Sequence, residues 1–232
     1  MYKDTLSIKQ CVIEVTFDRP LHRAVKSYHL RGAIANLYSD NILFHQHEQS
    51  GRVVYEYPQI QYKVINGCAL VVGLGKGAEA LAQVNMLERE LLLGRERYQV
   101  ASQQVSYSTV SAGISIPHLL YEFVTPWLAL NEKNHDRYHR TGDEFRRKRI
   151  LAKILTGNLL SMSKGLGYTV RAPIETEFLE FREIRTRLKG TPMTAFEGVF
   201  AVNFSIPAFW GIGKSASRGF GTIIQYFQAD KK

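Results

Sequence analysis

Cysteine is scarce in this chain: only Cys11 and Cys68 occur among 232 residues. Both lie in apolar, strand-like stretches, so we expect them to be reduced residues of the core. Two cysteines cannot build the disulfide framework of a small secreted domain. The sequence also has no Cys-x-x-Cys and no His-Glu-x-x-His. These absences argue against a disulfide-stapled scaffold and against the commonest zinc sites.

Long apolar runs are absent as well. None approaches the ~18 residues that a helix needs to cross a bilayer. The opening residues MYKDTLSIKQ lack the apolar core of a signal peptide. We therefore expect a cytoplasmic protein that is not held in a membrane.

Acidic residues are few relative to basic ones. The chain has 30 lysine and arginine residues and 21 aspartate and glutamate residues, which gives a formal net charge of +9 and a pI near 9.5. A negatively charged partner is expected, nucleic acid first and a membrane surface second. Hydrophobic residues make up 45% of the sequence, which supports a folded protein. The length allows one large domain or two of about 110 residues, each with its own core.

The first half of the chain has the pattern of a ferredoxin-like module. Apolar and polar residues alternate in its first strand, helical spacing follows, and Asn66-Gly67 is a strong hairpin signal. The predicted elements are a strand over 8–17, a helix over 20–38, a polar loop over 39–56, a hairpin over 60–72, a helix over 76–93 and a strand over 100–110. The apolar stripe of the first helix is Leu21, Val25, Tyr28, Gly32 and Ala35. The order is therefore βαββαβ.

The second half repeats this pattern in a degenerate form. Its predicted elements are a strand over 119–129, a polar approach, a helix over 143–164, strands over 174–188 and 194–206, a glycine-rich loop and a strand over 222–227. Thr141 and Glu144 form a candidate capping box for the helix. We predict an α+β fold of tandem ferredoxin-like (RRM-like) βαββαβ modules, with an N-terminal domain over 1–114 and a C-terminal domain over 115–232.

The glycine-rich loop, Gly211–Gly221, is the most informative segment of the chain. Its sequence is Gly-Ile-Gly-Lys-Ser-Ala-Ser-Arg-Gly-Phe-Gly. Glycines let a backbone approach a ligand and leave N–H groups free to face phosphates. Lys214 and Arg218 would supply positive charge. The alternative is a flexible turn between two strands.

A second glycine cluster, Gly73-Leu74-Gly75-Lys76-Gly77, resembles a truncated dinucleotide fingerprint. A dinucleotide site also needs a second parallel strand that carries an acidic residue, and the sequence offers none at the expected distance. We therefore interpret this cluster as the start of a helix.

Two histidines in the polar loop are the candidate catalytic groups. His45 and His47 are two residues apart, so their side chains point to the same side if the loop is extended. Imidazoles titrate near neutrality, and one can remove a proton while the other donates one. Two alternatives are a pair of solvated loop histidines and a zinc site, for which Glu48 is the only further local ligand.

The long helix of the second half carries a basic face. Arg146, Arg149 and Lys153 fall at i, i+3 and i+7. The opposite face is apolar and consists of Leu151, Leu155, Leu159 and Met162. The basic face is either a binding surface for a polyanion or an ordinary solvated helix face.

Together these motifs resemble one protein family. The residues that carry the resemblance are the Gly-h-Gly-x5-Gly-h-Gly loop, the stretch Arg31-Gly32-Ala33-Ile34-Ala35-Asn36-Leu37, the His-x-His, the run Tyr57-Pro58-Gln59-Ile60-Gln61-Tyr62-Lys63, and Val72-Gly73 with Gly77-Ala78-Glu79-Ala80-Leu81. The family is the CRISPR-associated endoribonuclease that cuts precursor CRISPR RNA, in its His-x-His branch, within the superfamily of repeat-associated RNA-binding proteins. Gln46 stands where such enzymes often have asparagine.

The resemblance implies cleavage that needs no metal or other cofactor. The ribose 2′-OH attacks the scissile phosphate and leaves a 2′,3′-cyclic phosphate and a 5′-OH. His45 and His47 would be acid and base in an order that spacing does not decide, and Tyr55 would position the phosphate. The expected RNA contacts are Lys214, Ser215, Ser217, Arg218, Gly219, Gly221, Arg146, Arg149 and Lys153.

Two other functions stay open at this stage. One is a non-catalytic RNA-binding subunit of a CRISPR effector complex, and the other is a metal-dependent nuclease. The expected partner is CRISPR repeat RNA in each case, with no membrane. A homodimer and membership of an effector complex are open alternatives for the assembly.

Overall fold

The computed structural model of the protein describes residues 5–45 and 57–227. The chain forms two compact units. The N-terminal unit consists of Ser7–Val110 and Ala216–Gly219. The C-terminal unit contains Ser111–Ser215 and, among the described residues, 5–6 and 220–227. The glycine-rich segment therefore contributes residues to both units.

The N-terminal unit is built on an antiparallel sheet with the strand order β2-β3-β1-β5. A short strand, β4, forms a hairpin with the beginning of β5. The strands are β1 (Thr5–Phe17), β2 (Ile60–Ile65), β3 (Cys68–Leu74), β4 (Glu90–Leu93) and β5 (Glu96–Phe123). The helices are α1 (Ser27–Leu37), α2 (Ile42–His45) and α3 (Lys76–Leu81). Strand β2 lies at the edge of this sheet.

The C-terminal unit contains the end of β5, two helices and three further strands. They are α4 (Glu132–Arg140), α5 (Glu144–Gly165), β6 (Thr176–Leu188), β7 (Thr191–Ser205) and β8 (Ile223–Gln225). The order is β6-β7-β5, all antiparallel, and β8 also pairs with β5. The long pair β6–β7 confirms the predicted strands on either side of Gly190. In the described ranges, no helix combines the length and apolar character that a membrane span requires.

The alternation predicted for the first strand is confirmed. Cys11, Ile13, Val15 and Phe17 are all buried in the core of the N-terminal unit. The prediction for the second cysteine is wrong, because Cys68 is exposed. Cys68 is the first residue of β3, directly after the Asn66-Gly67 turn, and the six residues that follow it in the strand are buried.

Helix α1 starts at Ser27, seven residues later than Pro20, where the sequence placed the helix start. The preceding residues form a turn around His22, whose carbonyl accepts a hydrogen bond from the Val25 N–H and whose Nδ1 accepts one from the Ala24 N–H. The predicted stripe is confirmed at Val25 and Ala35, which are buried, and is wrong at Tyr28 and Gly32, which are exposed. The buried residues of the helix are Ser27, Leu30, Ile34 and Ala35.

The helix predicted over 76–93 ends at Leu81, and its last four residues form strand β4 instead. Two features explain the change. The side chain of Gln103 accepts a hydrogen bond from the Met86 N–H and donates one to the Val84 carbonyl, which holds the chain in an irregular path. Gly94 then allows a tight turn that pairs β4 with β5, so strand pairing replaces helical hydrogen bonds.

The predicted long helix of the second half is confirmed as α5, with its apolar face buried. Its cap differs from the prediction. The Asp143 carboxylate accepts hydrogen bonds from the Phe145 and Arg146 N–H groups, so Asp143 takes the place assigned to Thr141. The polar approach contains a helix that the sequence analysis missed, α4, which is capped by the Asn131 side chain. The strand predicted over 119–129 ends at Phe123.

The glycines of the second cluster serve the packing of α3, as the helix-start interpretation predicts. A Cβ at Gly73 would lie 2.5 Å from the Gly77 carbonyl oxygen, and a Cβ at Gly77 would collide with the Gln59 carbonyl. That same Gln59 carbonyl accepts a hydrogen bond from the Leu74 N–H at 2.8 Å. Part of the Tyr-Pro-Gln-Ile motif thus forms one close backbone contact with the glycine cluster.

Candidate functional site

His45 is the last residue of α2, and two hydrogen bonds hold the backbone beside it. The Tyr62 hydroxyl donates to the Phe44 carbonyl at 3.2 Å. The Arg31 Nη2 donates to the His45 carbonyl at 2.5 Å. Phe44 is buried in the core and anchors the short helix. The backbone of His45 is therefore well held by neighbours on α1 and β2.

The His45 ring presents an unsatisfied nitrogen. Its Nε2 is enclosed, yet within the described part of the chain it has no hydrogen-bond partner. Buried polar atoms are normally paired, and an exception asks for an explanation. His47 and Tyr55 lie outside the described residues, so the geometry of the proposed catalytic group stays a prediction. Among residues 5–45 and 57–227, no cluster of three or more histidine, cysteine or acidic side chains is placed to hold a metal.

The edge strand β2 has three consecutive polar or amphipathic residues that are fully enclosed. Gln61, Tyr62 and Lys63 each have 0% exposure. The Lys63 Nζ donates to the Gln61 Oε1 at 3.0 Å and to the Ala216 carbonyl at 3.4 Å. Both acceptors are neutral, and burial lowers the pKa of Lys63 to about 7. The sequence analysis assigned Lys63 no role, although a lysine within an apolar strand indicates that a charged group is buried there.

The segment Ala216–Gly219 packs against β2 and α1 of the N-terminal unit. Its first three residues form a single 3-10 turn. Gly219 has a φ of 85°, and a Cβ there would collide with the Ser27 hydroxyl and lie 2.9 Å from the Tyr62 carbonyl. Ser27 in turn accepts a hydrogen bond from the Val64 N–H. Glycine is thus required at this position by close packing as well as by backbone conformation.

The expectation that the loop amides are free to bind phosphate is wrong for two glycines. The Gly219 N–H donates to the Ala216 carbonyl at 3.1 Å, and the Gly221 N–H donates to the Pro126 carbonyl at 2.9 Å. Ser217 is only 8% exposed. Lys214 is exposed and belongs to the C-terminal unit, whereas the half-buried Arg218 belongs to the N-terminal unit. The side chains of Lys214 and Arg218, more than the amides of Gly219 and Gly221, are therefore available to a ligand.

The C-terminal unit has a basic groove between α4 and α5, with a volume of about 870 Å³. Its polar lining consists of Arg137, Arg146, Arg149, Lys153, Asn131, Asn134, Asn158 and Thr141. No carboxylate is among these described lining residues, although Asp143 pairs with Arg146 at 3.5 Å from outside. The structure thus brings together the three predicted basic residues and adds Arg137, which the sequence analysis missed because it missed α4.

Lys63 makes the stability of the N-terminal unit depend on pH. The lysine has its ordinary pKa of 10.5 in the unfolded chain, but burial lowers this pKa to about 7 in the folded protein. Between the two values the unfolded state binds more protons, so the contribution of Lys63 to the free energy of unfolding rises with pH. We expect the free energy of unfolding of wild type, relative to that of Lys63→Met, to increase by up to about 1.4 kcal/mol per pH unit above about pH 7.

Urea unfolding at several values from about pH 6 to about pH 9 measures this difference. Lys76→Met is the matched control, because Lys76 is an exposed lysine at the start of α3 in the same unit. A difference curve for Lys63→Met as flat as that for Lys76→Met would contradict the prediction.

Comparison with known proteins first assigns the class of fold. The structure of Csf5, a CRISPR-Cas type IV Cas6 crRNA endonuclease, matches with a TM-score of 0.60 at 14% identity, and the match covers 94% of this chain and 100% of that chain. At this identity the likeness concerns the fold alone.

Two Cas6b structures are more similar. One matches at 34% identity with a TM-score of 0.86, and the other, titled CRISPR RNA processing endoribonuclease Cas6b, at 32% with a TM-score of 0.74. Each covers 95% of this chain and 100% of the other.

The sequence itself gives the particular family. Residues 6–111 match the Cas6b N-terminal domain and residues 113–226 match the Cas6b C-terminal domain. The chain belongs to the Cas6b family. It is also 42% identical over 137 residues to the uncharacterized protein MJ0978 of Methanocaldococcus jannaschii, covering 59% of this chain and 92% of the relative. The family resemblance and the tandem ferredoxin-like α+β class predicted from the sequence are confirmed.

Proposed function

We propose that this protein is an endoribonuclease that cleaves CRISPR repeat RNA within precursor transcripts. One observation carries the proposal. In a chain of the Cas6b family, a histidine is held beside an arginine, and within the described residues the histidine Nε2 has no hydrogen-bond partner and the arginine has no carboxylate partner. A general acid or base and a positive charge are what cleavage of a phosphodiester requires.

The proposed chemistry uses the RNA's own 2′-OH as the nucleophile. One of His45 and His47 removes the 2′-OH proton while its oxygen forms a bond to the scissile phosphorus. The bond to the 5′-oxygen breaks, and the other histidine donates a proton to that oxygen. The products are a 2′,3′-cyclic phosphate and a 5′-OH, and the step balances without water, metal or redox cofactor. Tyr55 is the proposed third group that positions the phosphate.

Incubation with the repeat RNA encoded beside the gene tests the proposal. We expect one cut per repeat, undiminished by excess EDTA, and products that carry a cyclic phosphate. Loss of cleavage with chelator, or a 5′-phosphate on the product, would identify a metal-dependent nuclease instead. Binding without cleavage would identify the other alternative, a non-catalytic subunit of an effector complex.

The basic groove between α4 and α5 is the proposed second contact surface for the RNA. Arg149 and Lys153 are exposed and form no ion pair in the described part of the protein, so they are available to phosphates. Groove side chains that neutralise phosphates release counterions, and binding through them weakens with salt. Lys214, Ser215 and Arg218 are proposed contacts from the glycine-rich loop, with the buried Ser217 and with Gly219 and Gly221 supporting its conformation.

Replacing Arg146, Arg149 and Lys153 together by alanine is expected to weaken RNA binding about 10-fold or more at low salt. The slope of log K against log salt should fall in magnitude by about 2, because three contacts to a single strand are lost. Titration of labelled RNA at several salt concentrations measures both quantities.

A triple variant with the same change of charge provides the control. Lys164, Arg187 and Lys189 are exposed basic residues of the same unit that do not line the groove. Their replacement by alanine should change the slope by less than about 1. Equal losses in the two triple variants would show that net charge, and not the groove, determines the affinity.

A further inference from the structure

Arg31 belongs to the Arg-Gly-Ala-Ile-Ala-Asn-Leu stretch, to which the proposed chemistry assigns no role. It lies on α1 next to Leu30, a fully buried residue, and is itself half-buried. One of its terminal nitrogens, Nη2, donates to the His45 carbonyl. Its Nε is enclosed and has no hydrogen-bond partner in the residues that the structure describes. The Nη2 of Arg31 is therefore bound to the His45 backbone, whereas its Nε has no partner among the described residues.

A second guanidinium, that of Arg218, lies near the first. The turn that carries Arg218 packs on α1 and β2, where Gly219 contacts Ser27 and Tyr62. Burial, and then the like charge of Arg218, lower the pKa of Arg31. Burial also lowers the pKa of Arg218. Within 5–45 and 57–227, neither guanidinium forms an ion pair with a carboxylate, and no carboxylate contributes to either pKa, although the Tyr62 hydroxyl raises that of Arg31.

Two partly buried guanidinium groups with no carboxylate partner in the described part of the chain are costly to keep in a fold. Burying a charge is unfavourable unless the charge is paired, and two like charges repel each other. Among the described residues of the same unit, the enclosed Nε2 of His45 is a further polar atom without a hydrogen-bond partner. A tetrahedral anion could accept hydrogen bonds from both guanidinium groups, since arginine's planar fork matches phosphate oxygens.

We propose that Arg31 and Arg218 together bind the non-bridging oxygens of one RNA phosphodiester beside His45, with Arg31 also holding the His45 backbone in place. The assignment of that phosphodiester as the scissile one rests on the proposed function. In the transition state of 2′-OH attack, the non-bridging oxygens gain negative charge. Guanidinium groups already in position stabilise that charge without reorganisation. Arg31 is then a catalytic residue as well as a positioning residue.

Binding of a simple anion tests the site without reference to cleavage. Inorganic phosphate and pyrophosphate are the probes, and thermal unfolding of the full chain is the measurement. Ligands that bind the folded state raise the melting temperature. We expect both anions to raise it for wild type and for Arg95→Ala, an exposed arginine of the same unit, and to have at most half the effect on Arg31→Lys and Arg218→Ala. Equal increases in all four proteins would overturn the proposal.

Cleavage of the repeat RNA tests the catalytic part. We expect Arg31→Gln to slow single-turnover cleavage about 100-fold and Arg218→Ala about 10-fold, while Arg95→Ala has no effect. Arg31→Lys, which keeps the charge but not the fork, should recover part of the rate. Within the described residues the His45 carbonyl accepts a hydrogen bond from Arg31 and none from Arg218, so a rate loss in Arg218→Ala does not come from loss of a bond to the histidine backbone.

A sulfur substitution at the scissile phosphate separates contact with substrate from a merely structural role. Wild type should cleave one of the two phosphorothioate diastereomers more slowly than the oxygen substrate. The ratio of the oxygen rate to the phosphorothioate rate should be at least threefold smaller in Arg31→Gln than in wild type. An unchanged ratio would restrict Arg31 to holding His45 and overturn its contact with the phosphate. If wild type fails to cleave any RNA while the anions still stabilise it, the proposed function fails and the anion site stands.

Discussion

Replacing His45 by alanine is expected to lower the rate of repeat RNA cleavage at least ~100-fold, because a positioned proton-transfer group contributes about that much to a reaction at neutral pH. The affinity for RNA should change less than about threefold, since most contacts to phosphates come from other side chains. Single-turnover cleavage and equilibrium binding to an uncleavable RNA measure the two effects separately. The rate at saturating protein is the decisive quantity.

The structure explains why the effect should be confined to chemistry. The His45 backbone is held by Arg31 and by the Tyr62 hydroxyl through Phe44, and these bonds do not use the imidazole. Alanine at this position therefore removes the ring and leaves its support in place. We expect the same loss for His47→Ala, whose position lies outside the described residues.

His118→Ala is the matched control for the histidine variants. His118 is exposed, belongs to the C-terminal unit and lies 3.4 Å from the Glu175 carboxylate. Its loss should leave the rate of cleavage within about twofold of wild type, as is usual for surface substitutions. Unchanged cleavage in both His45→Ala and His47→Ala would place the active site elsewhere in the protein.

Replacing the 2′-OH at the cut site by hydrogen is expected to abolish cleavage altogether. The proposed mechanism has no other nucleophile, so the reaction loses the atom that forms the new bond to phosphorus. Binding should be nearly unchanged, because one hydroxyl contributes little beside the charges of the phosphate backbone. Denaturing gels over long incubations measure residual cleavage, and the same RNA serves in the binding assay.

A 2′-deoxy substitution one nucleotide further along the strand is the control, and that RNA should be cut at the normal rate. Cleavage of the first RNA at the original position would show that water or another group is the nucleophile. Repeating the experiment with EDTA then distinguishes a metal-activated water from an enzyme group. This outcome would reject the mechanism and leave the phosphate-binding site of Arg31 and Arg218 to be judged by its own test.

Local patterns predicted the strands and the longest helix well. The alternation of β1, the Asn66-Gly67 hairpin and the apolar face of α5 are properties of residues close together in sequence, and each is confirmed. The prediction failed over 82–93, where helical spacing competes with pairing to β5. The hydrogen bonds from Gln103 and the β4–β5 hairpin favour the strand there, and both depend on a segment further along the chain.

The candidate site divides in the same way. His45 could be selected from its spacing and its chemistry, and Arg146, Arg149 and Lys153 from the period of one helix. Arg137 could not, because its helix lies in a stretch with almost no apolar pattern. The roles suggested here for Arg31 and Lys63 were also hidden, since both depend on what surrounds the side chain.

By itself the sequence determined the family, the α+β class and the residue types available for acid–base chemistry, because these depend on short motifs and on composition. Only the tertiary structure decided which charges meet. The fold lets the Lys63 side chain donate a hydrogen bond to the carbonyl of Ala216, which is 153 residues away in the sequence, and it brings Arg218 near Arg31. Burial and the repulsion between like charges act through space, so the electrostatics of the site exist only once the chain has folded.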